Sequence, residues 1–172
     1  RSRQLKVLKV QSGLCKLALF DPNLHVSLSA NQVGSIALET LGIAVEAYLS
    51  QKANFFSDMF AEKAMELLGG YMNASESEVT TSSPEVLLSQ GGCLASLAVS
   101  ASSVGPATLV GLSVCARYKV ARPLVTSILF PYVLEDVAKY KKDRLARVAQ
   151  LLGISVEDSN DKDRMVSLLA EK

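Results

Sequence analysis

The chain has 172 residues, enough for one domain with a sizeable core. Lys and Arg total 18 against 17 acidic residues, so no charge excess draws it to nucleic acid or to an anionic membrane. Three cysteines, Cys15, Cys93 and Cys115, stand apart without CxxC spacing, which predicts reduced, buried thiols in a cytoplasmic protein rather than a disulfide frame or zinc site.

The opening RSRQLKVLKVQSGL is basic but has no continuous apolar core, so no export signal is read there. Leu5, Val7, Leu8 and Val10 suggest a short strand and Leu17–Phe20 a second, before Asp21 and Pro22 turn the chain. Val33, Ile36, Ala37, Thr40, Leu41, Ala44, Ala47 and Tyr48 then recur at spacings of three and four, the mark of a helix with one buried stripe. Glu39 and Ile43, four apart, project from a neighbouring face. A second helix follows to Leu68, closed by Gly69 and Gly70, and Tyr71–Ser83 reads as a polar loop.

Ser83 before Pro84 and Glu85 is an N-cap with proline at the first helical position. No charged residue lies between Glu85 and Arg117, which raises the possibility of a membrane span. Gly105 and Pro106 break the run, and its Ser, Gly and Ala suit helices in close approach within a soluble core, so no span is expected. Gly105 with Pro106, and Arg122 with Pro123, open two further helices, and Pro131 should kink or end the second of them. Lys141, Lys142 and Arg144 read as a solvated face rather than a phosphate site. Leu145, Val148, Ala149 and Leu152 form an apolar stripe ending at Gly153, and Asn160 or Asp161 caps a last helix with Met165, Leu168 and Leu169. The periodicities predict a mainly α-helical bundle of about six to eight helices after one or two short strands. His25 has no partner constellation and reads as a loop residue, and no GxSxG or SxxK pattern marks a nucleophile.

In Ala37–Leu68, the residues Leu41, Ala44, Glu46, Ala47, Tyr48, Ser50, Asn54, Asp58, Ala61, Ala64 and Glu66 follow the patterns DALTHAIEAY and NPxTDALALEAIxLI. In Thr108–Leu134, Tyr118 and the ending Ile128, Leu129, Pro131, Tyr132, Val133, Leu134 keep step with HALAHPLGALYGIPHGLANAILLPYVL, and Leu17–Leu24 looks like AIVDPEL. These patterns are those of the iron-containing (group III) alcohol dehydrogenases, which the chain resembles from Lys16 to Gly153. The resemblance implies the helical C-terminal domain of that family, a dehydroquinate synthase-like fold. It implies residues 1–28 as a strand and linker remnant of a dinucleotide-binding domain, and 29–172 as an all-helical domain cut short at its C-terminus.

In that family a divalent metal, held by one Asp and three His, polarises the alcohol oxygen so that a hydride can leave its carbon for NAD(P). The register of the resemblance places Glu39, Ile43, Thr108 and Arg122 at the four ligand positions. A carboxylate, a hydrocarbon, a weak hydroxyl and a cation do not form such a cage, so no metal is expected in this chain. The family's phosphate loops of the GGGS and TTAGTGSE type have no counterpart here, so no NAD(P) is expected on this chain alone. A separate dinucleotide-binding domain is the implied partner, a homo-oligomer is left open, and catalytic residues are not assigned. Glu46, within EAY, is expected to be a buried carboxylate that caps backbone donors. Arg122 is expected to supply the missing positive charge and pair with Glu39, with Ile43 and Thr108 lining the same pocket. Two functions stay open: the metal-side domain of an alcohol dehydrogenase-like oxidoreductase, inactive alone, or a non-catalytic structural or interaction module derived from that family.

Overall fold

The computed structural model describes residues 16–73 and 83–154, apart from the side chains of residues 25 and 26. The strand expected at Leu5–Val10, Cys15, the loop centre at 74–82 and the helix expected after Asn160 lie outside these residues. The described part holds a 3-10 turn at Pro22–Ser27 and six α-helices. They are α1 (Ala30–Tyr48), α2 (Phe55–Asn73), α3 (Pro84–Ala101), α4 (Pro106–Tyr118), α5 (Arg122–Ala138) and α6 (Lys142–Leu151).

α1 starts at a capping box: the Gln32 amide donates to Ser29 Oγ at 3.4 Å and the Ser29 amide to Gln32 Oε1 at 2.9 Å. Its core face is Ala37, Leu41, Ala44, Val45, Ala47 and Tyr48, all buried, whereas Ile36, expected on that stripe, is exposed. α2 starts at Asn54, whose Oδ1 accepts the Phe56 and Ser57 amides, while its Nδ2 donates to Ala101 O at 2.7 Å and ties this start to the end of α3. α2 and α3 pack closely because Gly91 has no side chain: a Cβ there would lie 2.7 Å from Leu68 Cγ. Ala61, Ala64, Met65 and Leu68 of α2 join Leu88, Ala95 and Ala98 of α3 in one core with α1.

Three expectations need correction. Leu17–Phe20 is not a strand; Leu17 and Leu19 are exposed, and no strand exists among the described residues for this run to pair with. α2 runs through Gly69 and Gly70 to Asn73, because the fully buried Leu68 keeps this turn on the core and neighbouring Leu152 packs beside Gly69. α5 does not end at Pro131, one of the two outcomes expected there, but continues through it, with Leu134 and Ala138 beyond it buried on the core. Ser83 is the N-cap of α3 with Pro84 in the first turn, as expected, although its hydroxyl makes no capping bond.

No single helix among the described residues is long and apolar enough to cross a membrane, and α3 and α4 turn by 103° at the break between them. The α4–α5 hairpin buries little of itself: Ala107, Thr108 and Gly111 from α4, and Thr126, Leu134 and Ala138 from α5. α6 returns to the core with Leu145, Val148 and Ala149. It ends in a Schellman turn, where Gly153, at φ 75°, donates to Gln150 O and Ile154 to Ala149 O.

Candidate functional site

One stripe of α1 carries Glu39, Ile43 and Glu46, spaced four and three apart, and two of its members are buried carboxylates. Glu39 sits on one side of the α5 N-terminus. Arg122 Nε donates to Glu39 Oε1 and Nη2 to Oε2 at 3.2 Å, a two-pronged ion pair in which Glu39 is 5% exposed and Arg122 44%. Thr126 Oγ1 donates back to the Arg122 carbonyl at 3.0 Å and fixes the first turn of α5. Gly111 of α4 makes room for this pair, since a Cβ there would lie 2.8 Å from Thr126 Oγ1 and 3.8 Å from Arg122 Cγ.

Two turns further along α1, Glu46 meets the start of α4. Its Oε1 accepts the Ala107 amide at 2.6 Å, and its Oε2 accepts the Thr108 amide at 3.2 Å and the Thr108 hydroxyl at 2.6 Å. Burial pushes the Glu46 carboxyl up from its ordinary value, while the Thr108 hydroxyl and the two amides pull it back. The carboxylate thus satisfies the first free amides of α4 and sits at the positive end of its dipole. Gly105 is pressed against it: a Cβ there would lie 2.5 Å from both Cβ and Oε1 of Glu46.

Of the four positions singled out in the sequence, Glu39 and Arg122 therefore meet. Thr108 does not join them, because its hydroxyl is spent on Glu46, and Ile43 lies between the two carboxylates by its place on α1. A half-open cavity of about 310 Å³ beside Glu46, walled by Leu49, Val104, Phe130, Val133 and Val137, is lined by none of Glu39, Ile43, Thr108 or Arg122. At its rim the hydroxyls of Ser50 and Ser103 share a hydrogen bond of 2.7 Å. Among the described residues no group of three or more His, Cys, Asp or Glu side chains is placed to hold a metal ion. Cys93 and Cys115 are free thiols, half-buried rather than buried as expected.

Lys141 and Arg144 of the basic cluster after α5 are not part of a solvated face. Lys141 Nζ donates to the Leu49 and Ser50 carbonyls at 2.9 and 2.8 Å. Arg144 donates to the Tyr48 carbonyl at 2.6 and 3.1 Å, forks onto Asp58 at 2.5 and 3.0 Å, and lies over the Tyr48 ring at 3.9 Å. These cations sit at the C-terminus of α1, which has no basic residue in its own last turn. Burial works against the Arg144 charge, but Asp58 and the Tyr48 hydroxyl outweigh it and its pKa is raised. The neighbouring Glu62 accepts from Tyr48 Oη at 3.1 Å and from Arg147 Nη2 at 2.7 Å.

Arg147, with help from Tyr48, lowers the Glu62 pKa below its ordinary 4.5 despite burial. A lowered carboxylate contributes stability above its unfolded value that is lost as pH falls through the folded one. Glu62→Gln should thus cost stability at pH 7 and nothing once the pH lies below both values. Thermal denaturation of both proteins across that range checks it, and a constant difference at all pH would contradict it.

A profile of the Fe-containing alcohol dehydrogenase family, C-terminal, matches residues 36–172. The chain belongs to this family. It is 24% identical over 155 residues to the 1-propanol dehydrogenase PduQ of Citrobacter freundii, covering 89% of this chain and 42% of that protein. It is 26% identical over 140 residues to the NAD-dependent methanol dehydrogenase of Bacillus methanolicus, covering 81% and 37%. The chain thus spans about two fifths of the length of the curated relatives it matches. Among solved structures, the fold is similar to that of a 1,3-propanediol oxidoreductase, with a TM-score of 0.77 at 20% identity over 88% of this chain and 40% of that one. An alcohol dehydrogenase from Oenococcus oeni superposes with a TM-score of 0.76 at 18% identity, covering 88% and 39%.

Sequence reading took Gly105 only as a helix opener and missed Gly111; the close approaches that require both glycines are set by tertiary contacts. It also missed the Ser29 capping box, although the S-x-x-Q spacing was there to be read.

Proposed function

We propose that this chain is the metal-side helical domain of an iron-type alcohol dehydrogenase-like oxidoreductase, and that it does not itself interconvert alcohols and carbonyls with NAD(P). Residues 1–28 are then the link to a dinucleotide-binding domain and 29–172 the helical domain. The observation that carries the reading is the Glu39–Arg122 pair. If Glu39, Ile43, Thr108 and Arg122 stand at the family's ligand positions, the carboxylate is already claimed by a guanidinium and the hydroxyl by Glu46. The other two positions offer a hydrocarbon and a cation, a set that does not fit a dication.

The same pair favours a second reading, a non-catalytic structural or interaction module descended from such enzymes, because it leaves the carboxylate stripe fully satisfied without any ligand. The full natural chain, purified without an affinity tag, separates the readings. We expect no stoichiometric iron or zinc by plasma mass spectrometry. NAD(P)-linked oxidation of short primary alcohols should stay at background on adding either metal. Stoichiometric metal together with turnover would overturn the proposal, and dinucleotide binding without turnover would favour the domain reading over the module.

A further inference from the structure

We infer that Arg122 is the built-in counter-ion of α1, and that its pairing with Glu39, together with the Glu46 contact, clamps the α4–α5 hairpin onto the helical body. The inference rests on the proposed function in one respect, that no dication occupies Glu39. The reason a clamp is needed lies in the hairpin itself. α4 packs chiefly on α5 and buries only Ala107, Thr108 and Gly111, and α5 buries only Thr126, Leu134 and Ala138. Leu109, Val110, Leu124, Ile128 and Tyr132 face outward. Apolar burial, which scales with the area removed from water, therefore reaches the helical body from α5, through Phe130, Leu134, Val137 and Ala138, and is thin along α4.

Polar contacts stand at both ends of the seam between the hairpin and α1. At the start of α4, Glu46 binds the Ala107 and Thr108 amides and the Thr108 hydroxyl. At the start of α5, both oxygens of the buried Glu39 are taken by the Arg122 fork, whose stem passes Gly111. A cation approaching Glu39 would have to displace the guanidinium from both oxygens. Removing Arg122 would leave a buried carboxylate without compensation, the costly way to break an ion pair.

The test uses the full natural chain and reads hydrogen exchange of the amides in 106–138 against those in α2 and α3. Arg122→Met and Glu39→Gln should each speed exchange in 106–138 by about tenfold and leave α2 and α3 near wild type. The double variant should be no faster than the worse single one, because the two residues act as a unit. Zinc or a chelator should leave wild-type exchange unchanged. Additive effects in the double variant, or slowing of wild-type exchange by zinc, would overturn the inference. Arg122→Lys keeps the charge without the fork, so partial acceleration is expected even if Arg122→Met does not fold, and wild-type exchange in it would count against the clamp. Alcohol turnover by a protein whose exchange follows this pattern would overturn the proposed function alone.

Discussion

Arg144→Ala should lower the unfolding free energy by about 3 kcal/mol. Arg144 is 31% exposed and Asp58 27%, so solvent screens the pair only in part. The substitution removes two hydrogen bonds to Asp58, two to the Tyr48 carbonyl and the stacking over the Tyr48 ring. It leaves Asp58 half-buried and strips the last turn of α1 of a cation that its own sequence lacks. Urea denaturation should show a lower midpoint at unchanged slope, and Arg144→Lys should recover less than half of the loss because an ammonium cannot serve both the carboxylate and the ring. A loss below about 0.5 kcal/mol would mean that the cluster behaves as an ordinary surface pair.

Gly105→Ala should cost about 3 kcal/mol, through crowding rather than backbone strain. Gly105 has φ −87° and ψ 173°, extended backbone that alanine adopts freely. The added Cβ would instead lie within 2.5 Å of Glu46 atoms, in a place that Glu46 cannot leave without abandoning the Ala107 amide and both Thr108 donors. Orphaning those buried groups adds to the steric cost. Combining Gly105→Ala with Glu46→Gly removes every Glu46 side-chain atom that the new Cβ would meet, so the pair should be less destabilising than the sum of the two singles. Calorimetric unfolding of the three variants decides it, and a neutral Gly105→Ala would show that α4 can shift away from α1.

The helix starts were legible because proline and capping residues act within a few residues of where they stand: Pro84, Pro106 and Pro123 each lie in the first turn of the helix they announce. The stops were less so. Gly69 and Gly70 have the residue type of a helix end, yet burial of Leu68 keeps α2 going. Leu17–Phe20 has strand composition, but a strand needs a neighbour, and composition does not supply one. The cations at 141 and 144 looked solvated because their acceptors, Leu49, Ser50, Tyr48 and Asp58, lie more than 80 residues away in sequence. For the site, family register led to the meeting of Glu39 and Arg122. No local signal told that Thr108 would turn to Glu46, since that depends on where two helices cross.

The two buried carboxylates of α1 also act as an address. Apolar seams tolerate sliding, because one hydrocarbon contact resembles the next. A slip of one turn, about 5.4 Å, would set Arg122 against the Ile43 hydrocarbon and draw the α4 amides off Glu46. Both charges would then be stranded together, so the misplaced arrangement is penalised far more than the correct one is favoured. The polar pairs on this seam thus choose among packings that the surrounding leucines and valines would leave nearly equivalent.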